Sequence, residues 1–380
     1  MSPRPIATAC VLAGLALLLF LFHISTAPLT RDESAFNTQA ESIRAGHTPL
    51  YFHAVDEHWL QPAAVYANAV ARSAGGDDQS GRLASAVVAA IGVALTFVIA
   101  LEITGRAWLG VVAAVLLMLT PAYRSSAQLG TDVLFPVPLI LIWIVTLLQF
   151  FKRDSLSHLS VAAASLGLAA YATPAAPLTV IFLWMLTLIV AWRRNRARLL
   201  TATLVFAACW LPAAVWFARH FETYADTFGR WVIFAAHLRS PLDGLRAFVN
   251  PGTLGDRASK YWGFWDPSWL FFDGKDSTAP LLMIAAPLIA LGIYRIITRL
   301  SGDAKAVVIG TALIAPLAGA TFGVPHFMPA AAVELPMLAL VAALGAQQLA
   351  AWIRRSDPLE DGVMMGAVEG VYVDDPLPRS

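Results

Sequence analysis

Long apolar runs separated by short charged connections fill this chain almost from end to end. A helix needs roughly 20 apolar residues to cross the hydrocarbon core of a bilayer. Ten stretches meet or approach that length: 6–23, 82–104, 107–123, 133–151, 157–172, 176–192, 199–217, 279–299, 304–322 and 331–352. The fifth and sixth are short and lie close together. Backbone without regular structure cannot face lipid, so the remaining residues are loops or breaks shielded by protein. The pattern predicts an all-α, polytopic membrane bundle of about ten transmembrane helices over residues 1–352. The tail, 353–380, contains Gly, Pro and Asp without periodicity, a composition that predicts disorder.

Two long polar interruptions, 24–81 and 218–278, stand out from the apolar background. In the first, Phe36, Ala40 and Ile43 recur at helical spacing and Gly46 follows, which predicts an amphipathic interfacial helix with a glycine at its end. Thr30 with Glu33 three residues later forms a capping box, and Asp32 favours the positive end of the same helix. Asp132, in Gly130–Thr131–Asp132, precedes the fourth apolar stretch, where it serves either as an N-cap or as a functional carboxylate. Spans ending at similar depth would bring Asp32 and Asp132 to one cavity.

Charge adds orientation. Short connections on one side carry Arg106, Lys152–Arg153, the Arg193–Arg198 cluster, Arg295, Arg299, Lys305 and Arg354–Arg355. The short connections on the other side hold only Arg124. The positive-inside rule therefore predicts cytoplasmic N- and C-termini and outer loops on the far face. The first span exceeds the length of a signal-peptide core and reads as an anchor rather than a cleaved leader. Charged residues make up 13% of the chain and the net charge is +1, so nothing favours nucleic acid. Cys10 and Cys209 both lie in apolar runs, which excludes a disulfide framework. His47, His53, Asp56, Glu57 and His58 cluster in the first loop without the spacing of a metal motif, so no metal and no cofactor are expected.

The order of several short motifs resembles one family. Asp32–Glu33 opens the first outer loop, followed by Pro49–Leu50–Tyr51–Phe52, Pro62 to Tyr66, and Arg82–Leu83–Ala84–Ser85–Ala86. Asp132 stands before the fourth span, and Tyr261 to Gly274 forms an aromatic stretch in the second loop. Over about residues 30–350 these features resemble bacterial members of the dolichyl-phosphate-mannose–protein mannosyltransferase family, which includes aminoarabinose transferases. The chain departs from the family pattern at Tyr171–Ala172–Thr173–Pro174, where the usual following arginine is missing, and at Lys275, where an acid is common.

The resemblance implies a GT-C type membrane glycosyltransferase of the bacterial inner membrane. It would move a sugar, with inversion, from a polyprenyl-phosphate donor to a lipid, glycan or protein acceptor on the outer face. Such a reaction needs a base for the acceptor hydroxyl, for which Asp32 is the candidate. An aspartate is a weak base, which a second carboxylate nearby, Asp132, would strengthen by repulsion. Cations must then hold the phosphate as it leaves, and Arg82, Arg124, Arg257 and Lys260 lie in outer segments. Glu33 and Tyr261 complete the expected substrate-binding set, with membrane lipids as further partners. A flippase or transporter is the rival class; it predicts inverted repeats and midplane charges, whereas no repeat is visible and Glu334 is the one convincing intramembrane acid. A shortened, inactive homologue serving as a partner subunit is the third reading.

Overall fold

The computed structural model describes residues 3–22, 24, 28–53, 59–75, 78–192, 194, 196–220, 251–272, 279–300, 302–322 and 331–355. The helices in chain order are α1 (Pro3–Phe22), α2 (Arg31–Arg44), α3 (Pro62–Ser73), α4 (Ser80–Thr104), α5 (Ala107–Leu119), α6 (Pro121–Ala127), α7 (Pro136–Arg153), α8 (Leu156–Ala169) and α9 (Ala176–Ala191). They continue with α10 (Arg196–Cys209), α11 (Leu211–Arg219), α12 (Leu254–Gly263), α13 (Pro267–Phe271), α14 (Ala285–Arg299), α15 (Gly302–Ile314), α16 (Leu317–Phe322) and α17 (Glu334–Arg355). Outside the helices, two-residue strands pair antiparallel, Phe52 with Leu60 and His53 with Trp59.

Every predicted span falls on a helix, but among the described residues six helical segments, α1, α4, α7, α10 with α11, α15 with α16, and α17, are long and apolar enough to cross a membrane by length and composition alone. A seventh is reached if α5 and α6 form one span, bent by 67°. The bend has a local cause: Pro121 starts α6 and supplies no N–H to continue the ladder of α5. The α8 and α9 helices, matching the two shortest predicted stretches, fall below span length. The expected number of about ten is therefore larger than the helices satisfy individually.

The core forms around α4 and α7. Trp143 of α7 is fully buried, and its indole N–H donates to Thr187 Oγ1 of α9 at 2.9 Å. Tyr123 of α6 is likewise buried and donates to the Ala89 carbonyl of α4 at 2.8 Å. Each polar tip is thus satisfied inside an apolar interior, where an unpaired group would be costly. By contrast α1 exposes Val11, Leu15, Leu18 and Phe22, the pattern of a helix whose outer side meets lipid.

Basic residues gather at the end of the bundle where α4, α7, α9, α14 and α17 terminate. Ion pairs tie this end together: Lys152 with Glu102 at 2.9 Å, Arg198 with Asp154 at 2.6 Å, and Arg194 with Asp303. The acids singled out in the sequence lie at the opposite end, around the starts of α2, α4 and α7. Reporter fusions after Arg198 and Arg354 are therefore expected to report cytoplasm, and a fusion at Gly255 the outer side. A cytoplasmic signal at Gly255 would reverse the orientation.

Candidate functional site

The first outer loop is folded down onto the helix ends by its own small core. Phe36, Phe52, Leu60, Ala64 and Val65 pack with Ala84 of α4 and Phe135 before α7. The motifs of this loop hold one another: Tyr66 donates to the Pro49 carbonyl at 3.0 Å, and the Phe52 and Tyr66 rings meet edge-on at 5.5 Å. A polar layer lies beneath. Ser80 donates to Asn68 Oδ1 at 2.5 Å, Asn68 to Asn37 Oδ1 at 2.7 Å, and Asn37 to the Asp78 carbonyl at 2.7 Å. Helices α2, α3 and α4 are thereby fixed to each other by fully paired amides.

Helix α2 begins as the sequence predicts. Thr30 is its N-cap and accepts from the Glu33 N–H at 3.3 Å, while Glu33 Oε2 accepts from the Thr30 N–H at 2.9 Å. Phe36 and Ala40 are buried, and Gly46 follows with φ +95°. The Glu33 carboxylate does more than cap. Arg82 at the start of α4 donates Nε to Glu33 Oε1 at 2.7 Å and Nη2 to Oε2 at 3.0 Å. The Gly130 N–H donates to the same Oε1 at 2.9 Å. Glu33 and Arg82 are 1% and 2% exposed, so this is a closed, two-toothed ion pair. Burial alone would raise the Glu33 carboxyl, but Arg82 and the two N–H groups outweigh it and hold it at about 2, below its ordinary 4.5.

Gly130 reaches this carboxylate where its backbone comes close to that of Gly81 and Arg82. A Cβ on Gly130 would lie 3.1 Å from both the Gly81 carbonyl carbon and the Arg82 nitrogen. No feature of the chain near residue 130 signals that contact, and sequence reasoning missed both Gly130 and the Asn37–Asn68–Ser80 layer.

The neighbours of this anchor differ in exposure. Asp32 is exposed on the first turn of α2. Asp132 sits in a half-buried recess between α6 and α7, where its carbonyl accepts from the Phe135 N–H at 3.1 Å. It is not the N-cap of α7, a position Phe135 occupies. Burial, opposed by its own backbone N–H and assisted by repulsion from Asp32, pushes the Asp132 carboxyl from 3.8 to about 7. The two carboxylates thus share one electrostatic field. On the same connection, Gln128 Nε2 and Thr131 Oγ1 are buried without partners among the described residues, as is Gln61 Oε1 at the start of α3.

The expected cations separate on inspection. Arg82 is occupied with Glu33, so its charge is compensated inside the protein. Arg124, in the last turn of α6, is half-exposed and pairs with no carboxylate among the described residues. Lys260 of α12 is paired with Asp256 at 2.6 Å, and Tyr261 donates to the Leu313 carbonyl of α15 at 3.0 Å. Arg257, one turn earlier on α12, is buried. The aromatic stretch of the second loop divides: Phe264, Trp269 and Leu270 enter the core, and Trp262 and Phe272 stay exposed. Asp56, Glu57, His58, Gly274 and Lys275 lie outside the described residues. Glu334 is buried as expected of an intramembrane acid, but it is the first residue of α17 rather than a mid-helix group.

An apolar cavity of about 280 Å³ is lined by Tyr51, Tyr171, Pro177, Trp210, Ala213 and Phe217. Tyr171 braces it by donating to the Cys209 carbonyl at 2.7 Å and accepting from the Ala213 N–H at 3.2 Å. Tyr51 packs on Trp216 with ring centres 4.9 Å apart.

ArnT from Cupriavidus metallidurans bound to undecaprenyl phosphate superposes on this chain with a TM-score of 0.56 at 15% identity. The fold is that of GT-C glycosyltransferases. The match covers 92% of this chain and 62% of ArnT. The apo form of ArnT gives 0.54, again at 15% identity, over 94% of this chain and 62% of that one. A second GT-C protein, the oligosaccharyltransferase AglB from Archaeoglobus fulgidus in complex with an inhibitory peptide and a dolichol-phosphate, gives 0.54 at 13% identity. That match covers 97% of this chain and 52% of AglB. The chain therefore spans about half to three-fifths of the length of these GT-C neighbours. No family model and no curated protein sequence matches it.

Proposed function

We propose that this protein is an integral membrane glycosyltransferase that transfers a sugar from a polyprenyl-phosphate carrier to an acceptor hydroxyl, with inversion. The observation that carries the reading is that an exposed Asp32 lies close enough to a recessed Asp132 to repel it, with Asp32 next in sequence to the buried Glu33–Arg82 pair. The fold, shared with proteins whose structures hold undecaprenyl phosphate or dolichol-phosphate, supports it.

In this reading Asp32 takes the proton of the acceptor hydroxyl. The freed oxygen attacks the anomeric carbon from the face opposite the phosphate, and the carbon–oxygen bond to phosphate breaks. Its electron pair leaves on the phosphate, so a single displacement inverts the centre. Phosphate is a good leaving group and requires no general acid. Its developing charge needs a cation already in place, and Arg124 is the candidate, with Arg257 second. Glu33 and Arg82 position α2 and thereby Asp32. The apolar cavity at Tyr51 and Tyr171 suits the isoprenoid part of the donor, since it offers aromatic and aliphatic walls. The charge asymmetry supports the outer face of the membrane as the place of action, and the resemblance to bacterial transferases points to a bacterial inner membrane.

A pH measurement tests the role of the recessed acid. Below about 7 Asp132 is neutral and adds no charge beside the anionic donor; above it, ionisation places a second negative charge there. The KM for donor is therefore expected to rise as pH climbs through about 7. Asp132→Asn fixes the neutral form and should give a KM that no longer changes across this range. An unchanged pH response in Asp132→Asn would remove Asp132 from the donor site.

A further inference from the structure

Far from the paired aspartates, at the basic end of the bundle, α14 and α17 touch backbone to backbone. A Cβ on Gly292 would come 1.9 Å from the Val341 carbonyl oxygen, and one on Gly345 would come 1.8 Å from that of Leu288. Such small-residue crossings let membrane helices approach closely. One turn further on, the crossing brings Arg295 against two buried amides. Its Nε donates to Gln347 Oε1 at 2.9 Å and its Nη1 to Gln348 Oε1 at 2.9 Å. These acceptors orient the guanidinium but do not neutralise it. Arg106 and Arg299 both lie close enough to repel its charge. Among the described residues, no carboxylate pairs with Arg106, Arg295 or Arg299, although Lys152, Arg194 and Arg198 on the same face are all paired.

A cavity of about 150 Å³ opens at this point, with Arg295, Arg299, Thr104 and Gln347 among its walls and Ile103 and Leu300 beside them. Ile296 and Leu344 complete an apolar wall on the inner side of the cavity. We propose that this is a binding site for the phosphate of an anionic phospholipid headgroup, in the leaflet opposite the paired aspartates. Two uncompensated guanidinium groups in the cavity wall, Arg295 and Arg299, with Arg106 close to Arg295, supply the charge, and basic pockets between membrane helices are where such headgroups bind. The apolar part of the wall, Ile103, Ile296, Leu300 and Leu344, favours a lipid over free phosphate. The site stands independently of the glycosyl-transfer reading.

The test uses the full chain purified in a neutral detergent, with thermal unfolding and native mass spectrometry as readouts. Phosphatidylglycerol, phosphatidylcholine with the same acyl chains, and inorganic phosphate are added separately. Phosphatidylglycerol alone is expected to raise Tm and to remain bound in the gas phase. Arg299→Gln, at an exposed position, should weaken that response about fivefold. Gln347→Glu puts a carboxylate against Arg295 and should abolish the response while leaving the protein folded. Arg354→Gln removes the same charge from the same face and should leave the response unchanged. An equal loss in Arg354→Gln would reduce the effect to diffuse surface charge and overturn the site. An equal response to inorganic phosphate would overturn the lipid assignment. A response that emerges only when Asp357, Glu360, Asp361, Glu369, Asp374 and Asp375 are neutralised would give the cavity to the tail instead.

Discussion

Asp32→Asn is expected to abolish sugar transfer while leaving a folded protein. The substitution keeps size and polarity but removes the group that accepts the hydroxyl proton, and losing general-base catalysis costs about 10²–10⁴-fold in rate. The structural cost should be small. Thr30, not Asp32, is the N-cap of α2, and Asp32 is exposed. What is lost there is a favourable charge at a helix N-terminus, about 0.3–1 kcal/mol. The effect should fall on kcat, with donor KM little changed, because the side chain acts on the acceptor. The check is turnover with a polyprenyl-phosphate sugar, run beside a Tm measurement in the same detergent. Near-normal turnover would confine Asp32 to the helix end and move the base elsewhere.

Glu33→Gln carries the largest expected effect on stability. On capping grounds alone glutamine is a good substitute, since it also completes a capping box. The buried Arg82 changes that expectation. Removing one partner of a buried ion pair leaves an uncompensated charge and costs about 3–5 kcal/mol. Glu33→Gln should therefore lower Tm sharply and lose activity through the fold. Glu33→Gln combined with Arg82→Gln removes both charges and should recover a large part of the loss. A single substitution as stable as the parent would show that the pair contributes little. The same pair sets the acid limit. Because the folded Glu33 carboxyl is held at about 2, below its ordinary 4.5, its contribution is present above 4.5 and is lost as pH falls toward about 2.

These two neighbouring acids show how far local reading reaches. The capping box, the burial of Phe36 and Ala40, and the glycine at the end of α2 were all legible, because each depends on residues within a few turns of one helix. The same holds for the all-helical membrane class and for the basic end of the bundle. The role of Arg82 was not legible in this way. As a cation near a helix end it read as a phosphate ligand, and only its 2% exposure and its two bonds to Glu33 assign it to an internal partner. Asp132 read as a helix cap as readily as a functional acid, and only the start of α7 four residues later removes the cap. The short hairpin at Phe52 and Trp59 was also unforeseen, being too brief for a period-2 pattern to register.

By itself, the sequence determined the solvent of this protein and the faces of its helices. A run of apolar residues has one low-energy environment, and backbone in lipid has to satisfy its own hydrogen bonds. It also determined which acids and bases end up at which end of the bundle, since charge is excluded from the hydrocarbon. The tertiary structure alone decided how those charges are shared. Glu33, Arg82 and Gly130 come from three separate segments, and they meet only because Gly81 and Gly130 allow the close approach. Inside a low-dielectric interior a charge without a partner is too costly to keep. Arg82 is therefore bound to a buried carboxylate, Glu33, while Asp32 stays exposed and Arg124 half-exposed.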